Sequence, residues 1–260
     1  MSHTLQIALP QFQALLVILI RVSGILAAWP VLGSRTIPLQ VKTGLALMLG
    51  LVLLPIVRLP SLPEDPFKIG AAMGGEFLIG MVIGLAVRCL FAGIELAGEL
   101  IGNQMGLGVV QLFDPTQTHH VPLISHFQTV LASLVFLSLN AHVLIVRAIA
   151  ESFDFIPPFG ARVSSALLED VLGISKGLFV VALKLAAPVL AVVLLVNLGM
   201  AIMGRSIPQM NVFALSFPIT IVAGFLILGA ALPYAVGLFE SEYGRLAETI
   251  HELLRILRYG

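Results

Sequence analysis

The chain has 260 residues, of which 58% are hydrophobic and only 11% charged, with a mean hydropathy of +1.05. Soluble domains carry roughly 25% charged residues, so this chain cannot cover a globule with polar groups and must meet lipid or a large protein surface. Lysine plus arginine balance aspartate plus glutamate at 14 each, leaving no bulk electrostatic case for nucleic acid or acidic substrates, and a single cysteine, Cys89, excludes an internal disulfide.

A spanning backbone must satisfy its own hydrogen bonds. A β-barrel would show alternating segments of about ten residues, whereas the apolar runs here are long and continuous. The predicted fold class is therefore all-α, a membrane-associated helical protein of about six long, kinked apolar helices. The N-terminus, MSHTLQIALPQFQALL, has no Lys or Arg before its apolar run. It lacks the basic start of a cleaved signal peptide, so residues 1–35 are expected to be mature protein.

In chain order, the predicted segments are Phe12–Leu32, Leu39–Val57, Phe67–Phe91, Val121–Ala150, Gly173–Met203 and Val212–Val236. Each approaches or exceeds the roughly 20 residues that span a bilayer core. Pro30 and Pro38, the run Leu59–Pro66, and Asp154–Gly160 mark joints, while Pro188 and Pro218 fall inside segments and predict bends. If all six span, eight basic residues (Arg58, Lys68, Arg147, Arg162, Lys176, Arg245, Arg255, Arg258) face Arg35, Lys42, Arg88 and Arg205. That bias puts the first side and both termini in the cytoplasm.

Small residues recur at helical spacing. Gly70–Gly74, Gly80–Gly84 and the triplet Gly98, Gly102, Gly106 are spaced for close backbone approach between helices. Beside the triplet run Glu95, Glu99 and Asn103, which face either water or another subunit; an acid–base pair is the alternative. Glu76, Glu95, Glu99 and Lys184, with Arg21 and Arg88, are the charges set in apolar surroundings. They are transport sites or inter-subunit pairs, and residue type alone leaves both open.

The stretch GNQMGLGVVQLFDPTQTHH, Gly102–His120, is half-polar and rich in glycine. His119, His120 and His126 lack the spacing and companions of a metal site, and no zinc, nucleophile-elbow or phosphate-loop motif occurs. No catalytic residue, metal or cofactor is expected. Later, Gly204 to Asn211 forms a polar turn between two apolar helices. Gly204 is expected to end the first, Pro208 to stiffen the turn, and Gln209 and Asn211 to cap the second, with Arg205 beside them. In the tail, Phe239, Tyr243, Leu246, Ile250, Leu253 and Leu257 alternate at three and four residues among charges. That is an amphipathic helix, folded against its own protein, the lipid interface or a partner.

Asn197, Gly199, Gly204, Arg205, the run PQMNVF (Pro208–Phe213), Phe217-Pro218 and Gly224 resemble the signature of the FliR/SpaR/YscT/HrcT family of type III secretion export-gate subunits. Gly98-Glu99-x-Ile-Gly-x-Gln-Met-Gly106, followed by Asp114-Pro115, is a second match. The resemblance implies a FliP-like helical part over 1–172, a FliQ-like hairpin over 173–237 and an amphipathic helix over 238–260. It implies FliP and FliQ as partners around a central channel, FlhB near the cytoplasmic mouth, and unfolded export substrates. The site would be the bacterial inner membrane within the flagellar basal body, in contact with lipid, with much of the complex on the periplasmic side. The flagellar branch is preferred to the virulence branch. Within the family, loop 104–120 closes the channel. Here Leu107, Val109, Val110, Leu112 and Phe113 would form the seal, with Gln104, Met105, Gln111 and Asp114 beside them. The resemblance also turns the hairpin tip toward the cytoplasm, against the charge count, and is preferred there. A secondary transporter using Glu76, Glu99 and Lys184, or an intramembrane enzyme using Glu95/Glu99 or the histidines, would be active in isolation; a gate subunit would not.

Overall fold

The computed structural model describes residues 2–29, 37–57, 65–108, 122–161, 164–207, 209 and 211–259, with side chains from Pro10 onward except at 165 and 213. Among these residues there are eight α-helices and no strand. They are α1 (Ser2–Ala28), α2 (Leu39–Leu53), α3 (Pro66–Gln104), α4 (Leu123–Ser138), α5 (Ala141–Phe155), α6 (Ser165–Ser206), α7 (Val212–Ala230) and α8 (Leu232–Tyr259). Three are long and apolar enough to cross a membrane, and up to five spans result if each bent pair counts as one. The all-α membrane expectation holds.

The six apolar runs and eight helices differ for local reasons. Val121–Ala150 breaks at Asn140, whose φ of 53° places it in the left-handed region and separates α4 from α5. Asparagine tolerates that conformation better than its apolar neighbours. The last run breaks at Ala231, where α7 and α8 meet at 54°. Pro233 then occupies the first turn of α8, where a missing N–H costs nothing. Helix α3 continues past Phe91 to Gln104. Pro188 and Pro218 both lie within continuous helices.

Two compact units emerge. One comprises residues 1–89, 140–175 and 243–260; the other comprises 90–139 and 176–242. In the first, α1 and α3 touch backbone to backbone. A Cβ on Gly80 would overlap the Arg21 carbonyl, and one on Gly24 would overlap that of Phe77. A Cβ on Gly84 would lie 2.7 Å from Ala28 Cβ. The Gly80–Gly84 spacing thus does what small residues do in membrane helices. Gly70 and Gly74 have nothing within 4 Å of the added atom.

The amphipathic tail helix is real and turned inward. Tyr243, Leu246, Ile250, Leu253 and Leu257 of α8 are all buried, which settles its apolar face as core. In the second unit, α3 packs on α6 at Gly93, where an added Cβ would come 2.8 Å from the Leu178 carbonyl. It packs on α4 through Phe91 and Phe136, edge to face at 5.8 Å. Helices α2, α6 and α7 leave large apolar side chains exposed, among them Met48 at 70%, Leu194 at 65% and Leu226 at 69%. Such surface is stable only under lipid or another chain.

Candidate functional site

The last turns of α3 are tied to the start of α4. Gly98 lies directly against Ser125 near the start of α4, where any Cβ would run into the Ser125 backbone. The Ser125 hydroxyl crosses to α3 and donates to the Glu95 carbonyl at 2.8 Å. The two helices that flank the loop are therefore clasped by one missing side chain and one hydrogen bond. Gly102, one turn on, is buried but loosely met: its added Cβ would find only Ile124 Cγ1, at 3.9 Å. Of the predicted stripe, Gly98 makes the close approach and Gly102 does not. Gly106 serves both conformation, with φ +81°, a value that suits glycine, and close approach, to the Phe217 ring rather than to α4.

Where α3 ends, Met105 N–H donates to the Ile101 carbonyl at 2.9 Å and Gly106 N–H to that of Asn103 at 3.1 Å. Gln104 is exposed, Met105 is fully buried, and Leu107 is half-buried. Val109, Val110, Gln111, Leu112, Phe113 and Asp114 lie outside the described residues, as do His119 and His120. His126 is exposed on α4. Among the described residues, no three His, Cys, Asp or Glu side chains converge.

Of the charges set in apolar surroundings, Glu76 and Arg21 are buried within this chain. Glu95, Glu99 and Lys184 are exposed on this chain; the two glutamates share the face of α3 opposite buried Ile94, Ala97 and Ile101. Glu76 is fully buried, and its partner is Arg21, also fully buried. Arg21 Nε donates to Glu76 Oε2 at 2.7 Å, and Nη2 lies 2.7 Å from the same oxygen. Nη1 donates to Ser152 Oγ at 3.0 Å and Nη2 to the Ile156 carbonyl at 3.1 Å. The guanidinium also sits 3.9 Å over the centre of the Phe153 ring.

The other oxygen of Glu76 accepts from the Phe159 N–H at 2.8 Å. Phe159 holds a φ of 68°, unusual for a bulky residue, in the Pro157–Gly160 turn closed by a 2.9 Å bond from Gly160 N–H to the Pro157 carbonyl. Ile156, just before this turn, thus offers its carbonyl to the cation, and the turn offers one N–H to the anion. Both oxygens of Glu76 accept from donors of its own chain, and the pair joins α1, α3 and α5.

At the α6–α7 hairpin, Gly204 does not end its helix, correcting the expectation; α6 continues to Ser206. Its role is steric, since a Cβ there would come 2.7 Å from Val212 Cγ2 on the returning arm. Asn211 caps α7 as expected, its side chain accepting from Ala214 N–H at 3.1 Å. Arg205 and Gln209 are exposed, and Pro208 lies outside the described residues. Ser125, Ser152 and Thr220 carry key bonds that no motif announced; Thr220 stands among apolar neighbours, while Ser125 and Ser152 sit beside other polar residues that hide them.

Fold and site together define an α-helical membrane protein in which the buried Arg21, Glu76, Ser125, Ser152 and Thr220 serve helix junctions. The chain belongs to the family of bacterial export proteins, family 1, whose pattern matches residues 12–246. It is similar to the flagellar biosynthetic protein FliR of Escherichia coli K12, 29% identical over 239 residues, which is 90% of this chain and 92% of that protein. The protein of the same name from Bacillus subtilis 168 is 30% identical over 95% of this chain and 96% of its own length. That of Pectobacterium carotovorum is 31% identical over 90% and 91%.

Proposed function

We propose that the chain is an export-gate subunit of a flagellar type III secretion system, set in the bacterial inner membrane. It helps form and close the channel through which unfolded substrates cross, and it performs no chemistry of its own. The flagellar branch is favoured over the virulence branch because the similar proteins carry the flagellar name along nearly their whole length. FliP and FliQ are the expected partners in a hetero-oligomer, with FlhB at the cytoplasmic mouth and much of the complex on the periplasmic side. The FliP-like part is 1–172, the FliQ-like hairpin 173–237 with its Gly204–Asn211 tip at a partner, and the remaining helix 238–260.

The observation that carries the gating role is the Gly98–Ser125 clasp. A loop that must seal a channel and later yield needs fixed stems and a pliable start, and Gly106 follows immediately after the α3 stem. The apolar residues Leu107, Val109, Val110, Leu112 and Phe113 suit closure by dewetting. The exposed apolar faces of α2, α6 and α7 supply surface for partners and lipid. Affinity purification of a tagged chain from cells expressing the whole operon is expected to recover FliP and FliQ. A stable, monodisperse preparation of this chain alone that transports an ion or solute would refute the gate assignment.

A further inference from the structure

Met105 is the first residue past α3, and α7 receives both its carbonyl and its side chain. A carbonyl at a helix C-terminus lacks an intrahelical partner and, once buried, needs another. The Thr220 hydroxyl lies 3.3 Å from the Met105 oxygen and 3.0 Å from both the Ser216 and Phe217 carbonyls of its own turn. One hydroxyl proton serves one acceptor well at a time, so the Met105 carbonyl competes for it with the two carbonyls inside α7. The Met105 side chain is fully buried over Gly224, where an added Cβ would stand 2.6 to 2.8 Å from its Cγ, Sδ and Cε. Gly106 faces the Phe217 ring, 2.7 Å from where its Cβ would be. Residues 217, 220 and 224, spaced three and four apart, form one face of α7 that grips two consecutive residues at the start of the loop.

We infer that this face of α7 is a latch on the channel loop. Thr220 and Gly224 are positioning residues that hold Met105, so residues from Leu107 onward leave from a fixed point. Exchange of the hydroxyl between Met105 and its own turn lets that point be released while α7 stays helical. The second arm of the hairpin thereby controls the loop. This inference rests on the reading of the loop as the channel closure.

The test uses the assembled gate with the full chain, a Cys89→Ala background and Leu107→Cys as reporter, labelled with a water-soluble maleimide. Thr220→Val keeps the shape and removes the proton; Thr220→Ser keeps the proton; Gly224→Ala displaces the thioether. Loss of one hydrogen bond is expected to raise the labelling rate about fivefold in Thr220→Val, with a similar rise in Gly224→Ala and the parent rate in Thr220→Ser. The two fast variants are expected to leak small ions. Parent-like labelling in both overturns the latch, and it leaves the closure reading standing if deletion of Gly106–Phe113 still leaks. Faster labelling with a gate that stays tight, even after that deletion, overturns the closure reading and with it the latch as a gating device. If Gly224→Ala fails to assemble, Thr220→Val against Thr220→Ser decides.

Discussion

Breaking the Arg21–Glu76 pair should be among the most damaging single changes in the chain. Both side chains are fully buried, and beyond Glu76 the cation has three further partners or near neighbours: Ser152 Oγ, the Ile156 carbonyl and the Phe153 ring. Glu76→Gln keeps the volume and an acceptor for Phe159 N–H, but leaves a guanidinium in a dry site without a counter-charge. Removing one partner of a buried pair costs about 3–5 kcal/mol, whereas replacing both by neutral groups of similar size is often close to neutral. Arg21→Met should cost a comparable amount, because it strands the carboxylate. The double variant, Arg21→Met with Glu76→Gln, should cost far less than the sum, with a coupling of at least about 2 kcal/mol. For a chain of this size each single change lowers the melting temperature of the detergent-solubilised complex by roughly 6–20 °C. Additive melting shifts in the double-mutant cycle, or single shifts of a degree or two, would refute the reasoning that the pair is a closed structural junction.

Four further variants separate effects that the sequence alone equates. Gly98→Ala should destabilise by about 1–3 kcal/mol or block assembly, because its Cβ overlaps the Ser125 backbone. Gly102→Ala should be neutral or stabilise by up to about 1 kcal/mol, since Ala is the better helix former and space exists; melting curves of the two variants check both. Glu151 accepts from Arg147 at 2.8 Å and lies 2.9 Å from His251 Nε2, but Arg147 is 79% exposed, so Glu151→Ala should cost under about 1 kcal/mol. Asn211→Ala should cost about 1 kcal/mol through the lost α7 cap, read as faster amide exchange over Val212–Leu215 with assembly intact.

Periodicity made the tail of α8 legible, because an apolar repeat of three and four residues has one structural solution when the residues between are charged. Composition likewise carried the fold class. Hydropathy misplaced the end of α3: Glu95 and Glu99 terminate the apolar run, but they sit on an exposed face and the helix runs beneath them to Gln104. The break at Asn140 rests on one backbone angle, in a run where Ser138, Asn140 and His142 are too few and scattered among apolar residues to end the apolar pattern. Glycine spacing identified candidates for close approach without telling Gly98 from Gly102 or Gly74, since the difference lies in what the neighbouring helix presents. The partnership of Arg21 with Glu76 spans 55 positions, and no local pattern records a pairing at that distance. Thr220 is equally silent, one hydroxyl among apolar neighbours whose meaning comes from the Met105 carbonyl beside it.

The central claim is that the loop starting at Met105 closes a channel, and ion conductance of the assembled gate tests it most directly. With Gly106–Phe113 deleted, the account predicts normal recovery of the complex and a persistent small-ion leak in a planar bilayer or in intact cells. A deleted gate that assembles and stays as tight as the parent would contradict it.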